Sequence, residues 1–384
     1  MENLVSNYYR NKYIDILKGL LMMLVIIGHL NFFDYNARTL TLIYSFHMPA
    51  FLIIGGFLSH IDENSKLITI IKNRIQKTLI PYFTFYLISF ILIPKPTGIE
   101  QMNAVVFMFN GIGNPDIATN LPLWFLTLYF VSMTVFEVIE IFSYKFIFFL
   151  KSKNNNLNKN KYEFIRIVFE LIIILILMIL SLYYSKTLRM KRMIFNFEIG
   201  IYTLLFVYIG KILNYFIPCI KNKISTLTNK NNDTNNFFKL KIDTTKILYI
   251  LFLCIILIIW YILSMKNGRI DLNARDYRDF RLLYLNAILG TFLFSNFSYI
   301  VYKIPYINEF FSFIGKYSVY ILAYHIPANV PINFIIRPML PLEFNEYLNH
   351  ASIVSILFLS SLILIISLLF TYIHISIKKS FSKN

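Results

Sequence analysis

Along most of this chain apolar residues run on for about 20 positions at a stretch, with few charges inside each run. That is the length a helix needs to cross the hydrocarbon of a bilayer at about 1.5 Å per residue. Lipid offers the backbone no hydrogen-bond partner, so such runs fold as helices. Ten are expected, at roughly 13–34, 40–59, 78–94, 121–142, 164–184, 193–213, 247–264, 282–302, 311–335 and 352–376. The third carries Pro81 and Pro94, and few residues separate the fifth from the sixth, so these have the least sharply marked ends. The pattern predicts an all-α integral membrane protein of about ten transmembrane helices, both termini cytoplasmic, forming a single domain over residues 1–384. Polar stretches rich in Asn and Lys near 151–163 and 219–246 are expected as flexible cytoplasmic loops.

Composition agrees: 57% of the 384 residues are hydrophobic. A net charge of +17 would suggest a nucleic-acid partner, but the charges fall in alternate loops. With the N-terminus inside, the inner side receives Arg10 and Lys12, the basic run at 66–77, and the lysines of both Asn-rich loops. Most of the surplus is therefore a positive-inside signal, and no nucleic acid is implied; the richness in Lys, Asn and Ile suggests an AT-rich bacterium, whose cytoplasmic membrane is the expected location. Cys219 and Cys254 have neither disulfide nor metal-ligand spacing, and no metal site is expected. The first run holds Lys18 and lacks a small-residue cleavage site, so it is expected to stay attached. No appended soluble domain is expected.

The first run also carries chemistry. Lys18 and His29 are eleven residues apart, about three turns, and share one face with Asp15. A charged group at membrane depth costs about 2.5–3.5 kcal/mol even on the gentler insertion scale, so such groups mark function. By helical rise His29 lies roughly 24 Å along helix 1, His47 about 10 Å below the outer face, and His325 about 21 Å from the inner face. Three histidines thus converge at one depth. Singly, each is as well explained as a hydrogen-bonded bridge between helices. His29, aligned with Lys18, is the expected catalytic residue; Asp15, His47 and His325 are expected to wall the site. Pro49 beside His47 breaks the backbone ladder, and Gly55-Gly56 allow close packing. His60, His350 and His374 read as interfacial residues.

Lys72, Arg74 and Lys77, just before the third run, read either as a positive-inside anchor or as a clamp for a phosphate-bearing cytosolic ligand. Outside, Arg269, Arg275, Arg278 and Arg281 interleave with Asp271, Asp276 and Asp279. Internal ion pairing is the plain reading; binding of an anionic acceptor, such as a lipid-linked phosphorylated sugar, is the sharper one.

Four segments in order carry a resemblance: Lys18 through His29 after YIDILKGL; FHMPAFLIIGGFL from Phe46 to Leu58; the basic run ending at Pro81-Tyr82, with LPLWFLTLYF around Trp124; and FIGKYSVYILAYH from Phe313 to His325. Together they resemble the acyltransferase-3 superfamily of integral membrane acyltransferases, nearest its fucose-acetylase-like and polysaccharide-modifying members. The resemblance implies ten helices, an acyl-CoA donor from the cytoplasm with no bound cofactor, and a sugar hydroxyl of a cell-surface or lipid-linked glycan as acceptor. It implies His29 as the catalytic histidine with Lys18 as partner, and Arg74 and Lys77 at the donor site, where relatives have paired arginines. The hydrolase-like domain of some relatives is not seen, so transfer would finish in the membrane domain or on a separate glycan-assembly partner. The implied reaction is O-acetylation from acetyl-CoA. A polytopic transporter or flippase for a glycan, or a structural subunit of an export complex, fits the helix count equally well; the basic run at the donor end is what discriminates.

Overall fold

The computed structural model describes residues 11–30, 37–93, 99–111, 120–153, 158–187, 192–229 and 238–381. The chain begins with α1 (Lys12–Gly28), α2 (Ala37–Tyr44), α3 (His47–Phe57), α4 (Leu67–Arg74), α5 (Ile80–Leu92) and α6 (Ile99–Asn110). It continues through α7 (Trp124–Lys153), α8 (Lys159–Thr187), α9 (Phe197–Tyr202), α10 (Leu204–Asn229), α11 (Phe238–Asn267) and α12 (Phe280–Tyr302). After α13 (Ile307–Lys316) and α14 (Ser318–Tyr324) come α15 (Asn329–Met339), α16 (Leu342–Tyr347) and α17 (Ile353–Phe381). Among the described residues the β pairing is one isolated bridge, Asp271 to Asp276, in the loop between α11 and α12.

Among the described residues seven segments are long and apolar enough to cross a membrane, or nine if each of two bent pairs is one span. The bent pairs are α9 with α10, at 55°, and α14 with α15, at 44°. These nine coincide with the second to tenth apolar runs. α1 has 17 residues, short of that length, and residues 31–34 of the first run lie outside the described residues. The protein is thus a multi-pass helical membrane protein with seven to nine full-length spans among the described residues, where the first of the ten expected runs is described only in part.

The third span begins earlier than its hydropathy indicates. It covers Leu67–Leu92, because a π-helical turn at Ile75–Leu79 joins α4 to α5 without a stop. Pro81 has no N–H for the carbonyl four residues back, and the wider turn absorbs the mismatch, with the Ile80 N–H bonding the Ile75 carbonyl instead. Lys72, Arg74 and Lys77 therefore sit on the span itself, not in a loop before it.

Two close helix crossings organise the core. α1 and α13 meet backbone to backbone where a side chain at Gly19 would fall on the Phe311 carbonyl and one at Gly315 on the Asp15 carbonyl. α3 and α10 meet the same way through Gly56 and Gly210. α11 lies at the rim, with Ile250, Leu251 and Ile258 exposed to what would be lipid.

Candidate active site

Each of the three histidines stands at a helix break. His29 caps the end of α1, His47 opens α3 after the irregular Phe46 (φ −147°, ψ −23°), and His325 caps α14 before the bend into α15. A helix end leaves carbonyls without their usual donors, and the imidazoles fill that role. His29 Nδ1 lies 2.8 Å from the Val25 carbonyl, because the His29 backbone N–H has turned to Ile26. His47 Nδ1 lies 2.7 Å from the Ile43 carbonyl, and His325 Nδ1 lies 2.9 Å from that of Leu322 and 3.1 Å from that of Ile321. A carbonyl only accepts, so in each ring Nδ1 carries the proton and Nε2 keeps its lone pair. His325 Nε2 is buried with no hydrogen-bond partner among the described residues.

The sequence-predicted histidines do converge. The His29 and His325 rings meet edge to face with centroids 5.0 Å apart. His47 packs edge to face against Tyr44 at 5.2 Å, and the Tyr44 hydroxyl donates to the Gly28 carbonyl beside His29 at 3.3 Å. His374 is not the plain interfacial residue the sequence indicates: its Nδ1 lies 2.7 Å from the Tyr324 hydroxyl, one residue from His325.

Lys18 lies about three turns back along α1, about 16.5 Å from His29 by helical rise, and pairs with the buried Asp15 at 2.8 Å. Between them a cavity of about 260 Å³ runs among α1, α3, α7 and α14. Lys18, Arg74 and Lys77 line one end, Phe51 and Phe125 the wall, and Val25, whose carbonyl holds His29, belongs to it. Arg74 and Lys77 also line an adjoining cavity of about 340 Å³, whose polar rim includes His60, Lys66 and Asn73. Lys72 is exposed and lines neither.

Charged partners missed at the sequence level complete this end. Arg74 is clasped by the buried Glu137, Nε to Oε2 at 2.8 Å with a second bond from Nη2 to Oε1. One turn along α7, Glu140 pairs with Lys211 at 2.7 Å, and the Ser59 hydroxyl reaches both carboxylates. Farther out Arg166 pairs with Glu170 at 2.7 Å. Glu137 and Glu140, three apart in an apolar run, were themselves the available signal.

The loop between α11 and α12 divides the predicted acceptor arginines. Arg275 is buried, bonded through Nε (3.1 Å) and Nη2 to Glu198 and to Asn196 at 3.2 Å. Arg278 pairs with Asp276 on the surface at 3.2 Å, and Arg281 with Asp279 at 2.9 Å. Arg269 lies over the Tyr44 ring at 4.5 Å, which puts it alone of the four arginines next to the histidines. Among the described residues no group of three His, Cys, Asp or Glu is placed to hold a metal ion.

The helical membrane bundle, the clustered histidines and the cavity that reaches Val25 are parts that an acyl transfer within a membrane can use. The chain matches the sequence model of the acyltransferase-3 family, an acyltransferase domain, over residues 11–372. No curated protein and no solved structure matches it. The match spans nearly all of the bundle, from the cap of α1 through most of α17, and on it the chain belongs to the acyltransferase-3 family.

Proposed function

We propose that this membrane acyltransferase moves an acetyl group from cytosolic acetyl-CoA to a hydroxyl of a cell-surface or lipid-linked glycan, in a bacterial cytoplasmic membrane. One observation carries the reading: the cavity that starts at Lys18, Arg74 and Lys77 extends to the turn of α1 that holds His29. In it a donor would leave its phosphates near Lys77 and the rim at Lys66 and Asn73, with its extended arm passing Phe51 and Phe125.

His29 supplies the base. Its Nε2 lone pair takes the proton of the acceptor hydroxyl as the oxygen attacks the thioester carbonyl. The new C–O bond forms, the C–S bond breaks, and the imidazolium returns its proton to the departing thiolate. The Val25 carbonyl fixes the tautomer and steadies the imidazolium. His325 packs on the ring and holds its plane. His47, tied through Nδ1, offers only an acceptor at Nε2 in its neutral form, so it walls the site and does not donate to the developing oxyanion. Lys18 is too far along α1 to touch the carbonyl and acts on the donor.

The test is the ester content of surface glycans from cells with the wild-type chain, a deletion, or His29→Ala at matched membrane abundance. The proposal expects one O-acetyl ester to vanish in both mutants with glycan export intact. Unchanged esters with glycan trapped inside would make the protein a transporter instead.

A further inference from the structure

A second cavity, of about 470 Å³, has His29 in its wall and shares no lining residue with the donor-side cavity. Its polar side belongs to α15: Asn329, Asn333 and Arg337 follow one another at intervals of four, which places them along one face. The same interval leads back to His325, whose carbonyl accepts from Asn329 Nδ2 at 3.2 Å. Ile332 and Ile363 supply the apolar side.

These polar groups are not used up by the fold. Arg337 is steadied by Asn349, Nη1 to Oδ1 at 2.8 Å, while its Nε has no hydrogen-bond partner among the described residues. Asn333 is exposed and makes no hydrogen bond there either. The loop arginines differ, since Glu198 holds Arg275 and Asp276 holds Arg278.

The geometry points to this cavity, and not the arginine-rich loop, as the acceptor site, with a hydroxyl-rich saccharide as its ligand. This rests on the reading of His29 as the base. An amide presents a donor and an acceptor together, as a sugar hydroxyl does, so Asn329 and Asn333 can each bridge a hydroxyl pair. Arg337 adds donors for ring or hydroxyl oxygens. A purely apolar occupant such as a lipid chain would desolvate all three without replacing their bonds, which is unfavourable. His29 then stands where two cavities approach each other: thioester from one side, hydroxyl from the other.

The experiment uses the full-length chain in cells and purified in detergent, with variants Asn333→Trp, Asn333→Gln, Arg337→Gln and His29→Ala. Two quantities are read: alkali-labile acetate on surface glycan at matched abundance, and the dissociation constant for acetyl-CoA. Asn333→Trp should lower glycan acetate at least tenfold with acetyl-CoA binding within twofold of wild type, and Asn333→Gln should retain more than the Trp variant. Arg337→Gln should fall between wild type and Asn333→Trp. Because Asn333 is exposed and unbonded, its replacement spares the fold. Wild-type acetate in both Asn333→Trp and Arg337→Gln, with His29→Ala dead, would overturn the assignment alone. Lost acetyl-CoA binding in Asn333→Trp would overturn it too, by making this the donor side. Wild-type acetate in His29→Ala would instead remove the reaction itself.

Discussion

Arg74 closes its planar fork on Glu137, so the guanidinium expected to grip a ligand is already matched by a buried carboxylate. Lys77, which carries a single point charge, lines both adjoining cavities and makes no ion pair among the described residues. The two basic residues should therefore fail differently when removed. Lys77→Ala should weaken acetyl-CoA binding several-fold and leave the melting temperature alone. Arg74→Ala should weaken binding and also destabilise the bundle by about 3–5 kcal/mol, because it strands a buried carboxylate. Ligand titration beside thermal unfolding in detergent separates the two.

If His29 is the base, as proposed, replacing it should lower turnover by about 10²–10⁴-fold with folding intact. His325→Ala removes only a neighbouring ring and should cost less than His29→Ala. Initial rates of acetyl-CoA consumption with an acceptor glycan present would rank them. Equal losses would mean that His325 takes part in proton transfer.

The Arg275–Glu198 pair ties the loop after α11 to the start of α9. Arg275 also has a left-handed backbone, φ 61°, which a non-glycine residue adopts only when its surroundings hold it there. Arg275→Ala should cost about 3–5 kcal/mol of stability, as expected for a broken buried pair. Arg278→Ala, at an exposed pair, should be silent in both stability and transfer. Thermal melts and glycan ester content check both; selective loss of transfer in Arg278→Ala would restore the loop as a binding surface.

Gly315→Val should push α13 away from α1, since its side chain would fall on the Asp15 backbone. The expected result is a destabilisation of about 1–3 kcal/mol and a disturbed Asp15–Lys18 pair. Weaker acetyl-CoA binding and a lower melting temperature should appear together. A normal melting temperature would show that the crossing tolerates separation.

Much of this was legible in the chain, and the reason is regularity. Helical rise is constant, so equal depth for His29 and His325 could be reckoned before their rings were seen to touch. The nine later runs were marked by hydropathy alone. What stayed hidden depends on which helices become neighbours. Arg74 finds Glu137 across sixty-three positions and Arg275 finds Glu198 across seventy-seven, and no local pattern announces either. The π-helical turn that carries the basic run into the third span likewise answers to Pro81 and to packing, not to hydropathy.

The bond from His29 to the Val25 carbonyl has one more consequence. Many enzymes that use a histidine base orient it with a carboxylate, and a screen of substitutions uncovers that helper. Here the helper is main chain, present whatever side chain residue 25 bears. On the proposed mechanism a mutational scan would find the base and miss its support, since Val25→Ala, whatever it costs in core packing, leaves that carbonyl in place. Weakening the contact calls for chemistry on the backbone, such as an ester in place of the amide that Val25 makes with Ile26. On that mechanism the aim of the imidazole is set by main chain, and a change of side chain at residue 25 acts on the packing of α1 before it acts on the base.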